Sequence, residues 1–344
     1  MQSNEVIPAP INVSILAVVF CGSYPVILSC IMSDPTQVLI SLIAGVLSFL
    51  AIPGRNSKMK LLVSTVLSML LFFMPEGNVR AFFIGFSQSY SQTVAEIYTS
   101  NLSLVSFREM SVSLLGILTT MQSCFVFLLL AFLPWFAPLF SSFFCVFALI
   151  SLEVAALLLC TPTPPSELLE NADVSILYGD VYKNLASLFR NTPFAYFHRE
   201  YTALVVKYNK KPIGTYARLC TIIEKVNISF ISTGVLGLLS TISHSSIYLS
   251  IFSCVSMFKW IYANRYPKDY LILSIVCICL VLISMVLYQV KPIFIILMAA
   301  SLYLVPSSTG YISLDRYTIG ISNTVRNSLG VLIYMLLLKE QCGR

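Results

Sequence analysis

Charged side chains are what this chain has least of: they make up 10% of 344 residues, against about 25% in an ordinary soluble domain. With 57% of the residues apolar, a water-soluble globule is excluded. Glycine is sparse, with 14 residues, and no stretch alternates apolar and polar positions over about ten residues, so a transmembrane β-barrel is excluded as well. Only two histidines occur, His198 and His244, in different predicted loops and without ligand-spaced companions, so no metal site is expected. The chain has no glycine-rich phosphate loop ending in Lys-Ser or Lys-Thr, no nucleophile elbow and no HExxH. An enzyme, an ATP-driven machine and a bound cofactor are therefore not expected.

Cysteine is not scarce, but paired cysteine motifs are. Of the ten cysteines, Cys21, Cys30, Cys124, Cys145, Cys160, Cys220, Cys254, Cys277 and Cys279 lie in or beside apolar stretches, with no CxxC. They read as small apolar core residues, not as a disulfide framework or a zinc site. The net charge of +6 is spread along the loops between apolar runs, which points to membrane topology and away from nucleic acid as a partner.

What the chain does have is a succession of long apolar runs. A crossing of the bilayer's hydrocarbon layer takes about 20 residues, and eleven such runs are read near 12–32, 37–53, 61–75, 79–100, 110–133, 137–160, 213–239, 244–262, 270–290, 292–310 and 318–338. Met1 to Pro10 carries Glu5 but no Lys or Arg, and no small-residue cleavage site follows the first run, which is therefore expected as a span. The fold class is accordingly an all-α, polytopic, multi-pass membrane protein.

Between the sixth and seventh runs lies a polar segment, Thr161 to Lys211, opening on Thr161-Pro162-Thr163-Pro164-Pro165. Proline removes a backbone donor and clashes with the preceding turn, so the sixth helix is expected to stop there. Leu185, Leu188 and Phe189 supply an apolar stripe for short helices within it. The organisation expected is a six-helix bundle over 1–160, a cytoplasmic linker over 161–211 and a bundle of about five helices over 212–344.

Lys and Arg mark the cytoplasmic loops. Arg55, Lys58 and Lys60 follow span two, Arg108 follows span four, Lys183 to Lys211 fill the middle, Arg265 and Lys268 follow span eight, and Arg316 follows span ten. All fall on one side if the spans alternate, while the opposite loops hold Asp34, Glu76, His244 and Lys291. The N-terminus and the central segment are thus expected inside, in the plasma membrane.

Two echoes relate the halves. Arg55 and Lys58 recur as Arg265 and Lys268, 210 residues later and at the same place in the span order. Tyr98-Thr99-Ser100-Asn101 after span four is answered by Tyr311-Ile312-Ser313-Leu314 after span ten. Two homologous halves are a common transporter construction, with the solute site between them near mid-membrane.

In these motifs the chain resembles the sugar porter family of the major facilitator superfamily. Gly54-Arg55-Asn56-Ser57-Lys58 and Asn264-Arg265-Tyr266-Pro267-Lys268 are similar to the family's acidic-Arg-x-Gly-Arg-Arg loops. Tyr98, Ser100 and Arg108 match the pattern after the family's fourth span, and Pro162, Pro165 and Leu168 echo the one after its sixth. The family's twelfth span has no counterpart here. The resemblance implies a two-bundle major-facilitator fold and transport of a small polar solute, most directly a sugar, by alternating access.

For the solute site the stretch Ser87 to Thr93 is the best candidate, with Gln88 and Gln92 on one helix face and Tyr90 beside them. Neutral amides and hydroxyls can replace the water around a sugar without burying a charge. The resemblance adds Thr120, Gln122, Asn227 and Thr309 as cavity positions, Asn227 being the one carried directly from the family's sugar contacts. It also assigns Arg55, Lys58, Arg108, Arg265 and Lys268 to an inner-face latch. The latch's acidic positions read Gly54, Asn101, Asn264 and Leu314, so the resemblance implies an inward-open preference unless Glu109, Asp269 or Asp315 takes over. Charges inside spans are costly and face cavities or partners; those here are Arg80, Glu96, Glu153, Glu224, Lys225 and Arg326. Other readings are a non-transporting relative, as sensor, scaffold or decayed paralogue, and a major-facilitator transporter of a non-sugar solute.

Overall fold

The computed structural model describes residues 34–54, 56–102, 218–226, 270–287 and 316–342, with isolated positions at 152, 155–156, 158–159, 163–164, 167, 202, 215, 293, 296–297 and 300. All regular structure among them is helical. Helix α1 runs Pro35–Val46 and continues as a 3-10 turn, Leu47–Ala51. Helix α2 is Ser57–Leu70, followed by a second 3-10 turn, Leu71–Phe73. Helix α3 is Asn78–Leu102, α4 is Tyr270–Val286 and α5 is Arg316–Cys342.

These five helices overlap the spans expected near 37–53, 61–75, 79–100, 270–290 and 318–338. The helical stretch 218–226 falls inside the span expected over 213–239. The remaining expected spans lie wholly or largely outside the described residues.

Local chemistry sets the ends. The Asp34 carboxylate accepts from the Thr36 backbone N–H at 2.9 Å, and Pro35 at the first helical position has its φ already set for a helix. At the other end Gly54, with φ of +84°, takes a left-handed conformation that an L side chain resists, and so reverses the chain into α2. Asn56, at the N-cap of α2, makes no side-chain cap bond.

Inside, the packing is of small residues. Helix α3 packs on α1, α2 and α5, and α5 packs on α1. A Cβ added at Gly85 would land on the Ser41 main chain, and one at Gly45 would stand 2.7 Å from Ser89 Oγ. Ser41-xxx-Gly45 on α1 and Gly85-xxx-Ser89 on α3 thus bring two backbones into direct contact, as membrane helices do where no apolar solvent difference drives association. Ser68 and Ser87 hydroxyls bond across α2 and α3 at 2.7 Å. Ser64, Thr65, Thr93, Thr324 and Ser328 return their hydroxyls to carbonyls on their own helices.

The polarity of the faces is inverted relative to a soluble protein. On α2 the buried residues are Ser57, Leu61, Ser64, Thr65 and Ser68, while Met59, Val63, Val66 and Leu70 are exposed. On α5 Thr318, Ser322 and Asn323 are buried while Leu332, Met335 and Leu336 are exposed, and α4 exposes Ile272, Ile275, Leu282 and Ile283. Contiguous exposed apolar faces of this extent suit an exterior of hydrocarbon. Among the described residues no helix is both long and apolar enough to cross a membrane. α3 and α5 have the length but carry polar stripes, and α4 is apolar but has 17 described residues.

Candidate functional site

Helix α3 carries Gln88, Gln92 and Glu96 at successive four-residue steps, and so on one stripe of its surface. Glu96 stands six residues before the end of the helix, about 9 Å along the axis at 1.5 Å per residue. From the second half of the chain, Lys225 Nζ donates to both Glu96 carboxylate oxygens, at 2.9 and 3.1 Å. The two side chains are 15% and 21% exposed. Glu224, next in sequence, is buried and projects about 100° away round its helix.

Helix α5 completes the cluster. Asn323 is fully buried, and its Nδ2 donates to Glu96 Oε2 at 3.1 Å and to Thr93 Oγ1 at 3.3 Å. One turn on, Arg326 Nη2 donates to Gln92 Oε1 at 2.8 Å, and the guanidinium is attracted electrostatically to Glu96. Asn327 Nδ2 donates to the Gly45 carbonyl at 2.8 Å and to Ser48 Oγ at 3.1 Å, which carries the network on to α1. One carboxylate thus faces two cations, and neutral amides fill the shell around them. The Asn323 Oδ1 acceptor is buried and has no hydrogen-bond partner.

Of the expected solute contacts, Gln92 is in this cluster, bonded to Arg326. Gln88 is half-buried on the same stripe. Tyr90 stacks on Phe86 of its own helix, with ring centroids 5.3 Å apart. Thr120, Gln122, Asn227 and Thr309 lie outside the described residues. Glu96, Lys225 and Arg326 stand out in the sequence as charges within apolar runs, but their pairing crosses 129 and 230 residues and leaves no local trace. Asn323 carries no signal of that kind. Arg80 meets Glu76 at 3.7 Å, four residues away, and takes no part in the cluster. Cys220 and Cys277 are buried and Cys279 is exposed.

A second polar group joins the loop between α1 and α2 to more distant parts of the chain. Lys60 Nζ donates to the carbonyls of Ala51 at 2.6 Å, of Pro53, and of Gly54 at 3.4 Å, placing a cation on the negative end of the first helix. Arg316, at the start of α5, also donates to the Gly54 carbonyl at 3.4 Å and lies 5.1 Å over the Tyr317 ring. Lys58 Nζ donates to the Leu159 carbonyl at 2.8 Å. Arg55, Arg108, Arg265 and Lys268 lie outside the described residues.

The acid at this face is Glu167. It is 4% exposed, and its carboxylate accepts from the Ser57 N–H at 3.2 and 3.4 Å and from Asn101 Nδ2 at 3.4 Å. An anion thus caps α2 from 110 residues away, where helix-end N–H groups and the helix dipole favour negative charge. Sequence reasoning did not single out Glu167, and the latch positions Gly54 and Asn101 remain without an acid of their own. Neither of the candidates Glu109 and Asp269, nor Asp315, is among the described residues, and the carboxylate present comes from the central segment. With Arg316 on Gly54, and with Gly320 packed so closely on Ile52 that a Cβ would overlap it, the first and second halves are joined in this form.

No protein-family model matches the chain, and no curated protein matches it. Solved structures do. The xylose transporter XylE from E. coli, in a partially occluded inward-open conformation, is similar at 10% identity over 94% of this chain and 89% of that one, with a TM-score of 0.62. An auto-inhibited POT family peptide transporter is similar at 10% identity over 97% and 88%, with a TM-score of 0.57. A bacterial homologue of the human lysosomal transporter Spinster, inward-facing and unoccupied, is similar at 12% identity over 96% and 82%, with a TM-score of 0.51. These proteins share one architecture across nearly the whole of this sequence, and the chain has the major facilitator superfamily fold.

Proposed function

We propose that this protein is a multi-pass membrane transporter that moves a small polar solute by alternating access between two helical bundles, residues 1–160 and 212–344. The observation that carries this reading is the charged cluster, in which a carboxylate of α3 is held by a lysine from the other half of the chain and attracts an arginine of that half. Charges retained inside apolar surroundings have functional work more often than structural work, and these lie where the two halves meet. The inverted faces of α2, α4 and α5 support a lipid exterior.

Within this reading the resemblance to sugar porters makes a sugar the leading solute class, with Gln88, Gln92, Thr120, Gln122, Asn227 and Thr309 as contacts. Arg55, Lys58, Arg108, Arg265 and Lys268 form the inner-face group. A non-transporting relative is the second reading, favoured by the Gly54, Asn101, Asn264 and Leu314 departures from the family's acidic positions. Uptake of radiolabelled solutes into proteoliposomes holding the purified chain separates the two. Saturable uptake that Asn227→Ala weakens supports the sugar-transport reading. The absence of flux across a panel of hexoses, pentoses, nucleosides, amino acids and organic acids would leave the non-transporting reading.

A further inference from the structure

The cluster divides its charges unequally between the parts of the chain. Glu96 belongs to α3, in the first half, while Lys225 and Arg326 both belong to the second. Resting on the transport reading, alternating access requires the two halves to part, and Glu96 then leaves with α3. Lys225 and Arg326 stay with the second half, and the place that Glu96 held at Lys225 Nζ is vacated. A negative group arriving from solution would take the place Glu96 gives up.

The same half holds an unused acceptor. The Asn323 amide is oriented by its Nδ2 bonds to Glu96 and Thr93, which leaves Oδ1 buried and without a hydrogen-bond partner. A buried acceptor is costly when unmade, and the group that satisfies it must be a donor. Next to the site of an anion, a hydroxyl on the same small molecule meets that need.

We infer that this cluster is the solute site and that the solute is a hydroxylated carboxylate, of the sugar-acid or small hydroxy-acid class, whose anionic group takes the place of Glu96 at Lys225 Nζ with the Arg326 guanidinium attracting it, and whose hydroxyl donates to Asn323 Oδ1. Glu96 is then a resident stand-in for the solute's carboxylate. Binding undoes the Glu96–Lys225 tie, so occupancy and release of the contact between halves are one event.

The test uses the full chain, purified in detergent, with D-glucuronate against D-glucose and lactate against lactamide. Within each pair the two members differ chiefly in the anionic group. Ligand-dependent melting is expected to show at least one acid binding tenfold or more tightly than its neutral counterpart. Glu96→Gln, which removes the competing carboxylate, should raise acid affinity severalfold. Arg326→Gln should abolish acid binding, while Arg326→Lys, which keeps the charge, retains part of it and guards against misfolding as the cause. Asn323→Ala should weaken lactate binding and leave propionate, which lacks the hydroxyl, unaffected. A neutral member bound as tightly as its acid overturns the inference, as does the absence of any binding by the four compounds, or Glu96→Gln and Arg326→Gln weakening the acid alike. Flux in proteoliposomes keeps the two readings apart. Uptake of the neutral compounds alone removes the acid assignment but not transport, whereas acid binding without flux removes transport and leaves the site.

Discussion

Glu96 and Lys225 hold each other across 129 residues of sequence, with Asn323 bonded to the same carboxylate and Arg326 drawn to it. Removing one partner of a buried ion pair leaves the other uncompensated and costs about 3–5 kcal/mol, whereas replacing both by neutral groups costs far less. Glu96→Gln is therefore expected to lower the melting temperature of the purified protein sharply, Lys225→Met less so because Asn323 and Arg326 still face the carboxylate, and Glu96→Gln with Lys225→Met to recover part of the loss from Glu96→Gln. A double variant no better than the worse single one would show that the pair does not act as a unit. At the opposite end of the chain's polar inventory, Asp34 is at the surface. The hydroxyl and backbone N–H of Thr36 hold its carboxyl below the usual carboxylate range. The folded state thus binds this proton less readily than the unfolded state, so the cap's contribution is complete above about pH 4. It disappears as the pH falls through the lowered folded value. Asp34→Asn, which keeps an acceptor but no titrating group, should flatten the acid limb of the melting-temperature profile, below about pH 4.

Elements meet here through their smallest residues. At Gly85 even one methyl group would collide with the Ser41 main chain, which cannot turn aside as a side chain can. Gly85→Ala is expected to cost at least the roughly 1–3 kcal/mol typical of overpacking, and Gly85→Leu to abolish the monodisperse peak in size-exclusion chromatography. Val79→Ala, at a position 70% exposed, should stay within about 0.5 kcal/mol of the parent. Glu167→Gln tests the long-range cap of α2. Losing the charge from these bonds is expected to cost about 1–2 kcal/mol, read as a lower melting temperature, with faster hydrogen exchange at the first turn of α2. The five described helices were legible from hydropathy because their outward faces are apolar, and a run such as Tyr270 to Val286 registers in any window. Their contacts were not, since Ser41, Gly45, Gly85 and Ser89 look in sequence like any other small residues. Glu167 was hidden for a related reason: its partner is a backbone N–H, and a backbone group leaves no mark in a sequence.

For the whole molecule, the fold shared with the solved transporters agrees with the resemblance read from the sequence. The charged cluster could not be foreseen, because helical periodicity gives each residue's direction on its own helix and nothing about which helix it faces. The contact between halves gives a prediction at this scale. An ideal Cβ at Gly320 would stand 3.4 Å from the Ile52 Cβ, close to the spacing across a disulfide. In a cysteine-free background, Ile52→Cys with Gly320→Cys should cross-link under mild oxidation, stop uptake, and regain it on reduction. Uptake that continues with the cross-link formed would mean that α1 and α5 do not separate at this point during transport.

The inverted faces of α2 have a consequence for how such a chain can change over time. Met59, Val63, Val66 and Leu70 leave 46–57% of their surface exposed, so the demand on side-chain shape there is loose. The positions that discriminate are few and nearly featureless: a serine against a serine, a glycine against a backbone. An architecture specified this way permits wholesale replacement of letters while the helices keep their places. At 10% identity over 94% of this chain, a xylose transporter shares its fold, as such a scaffold permits.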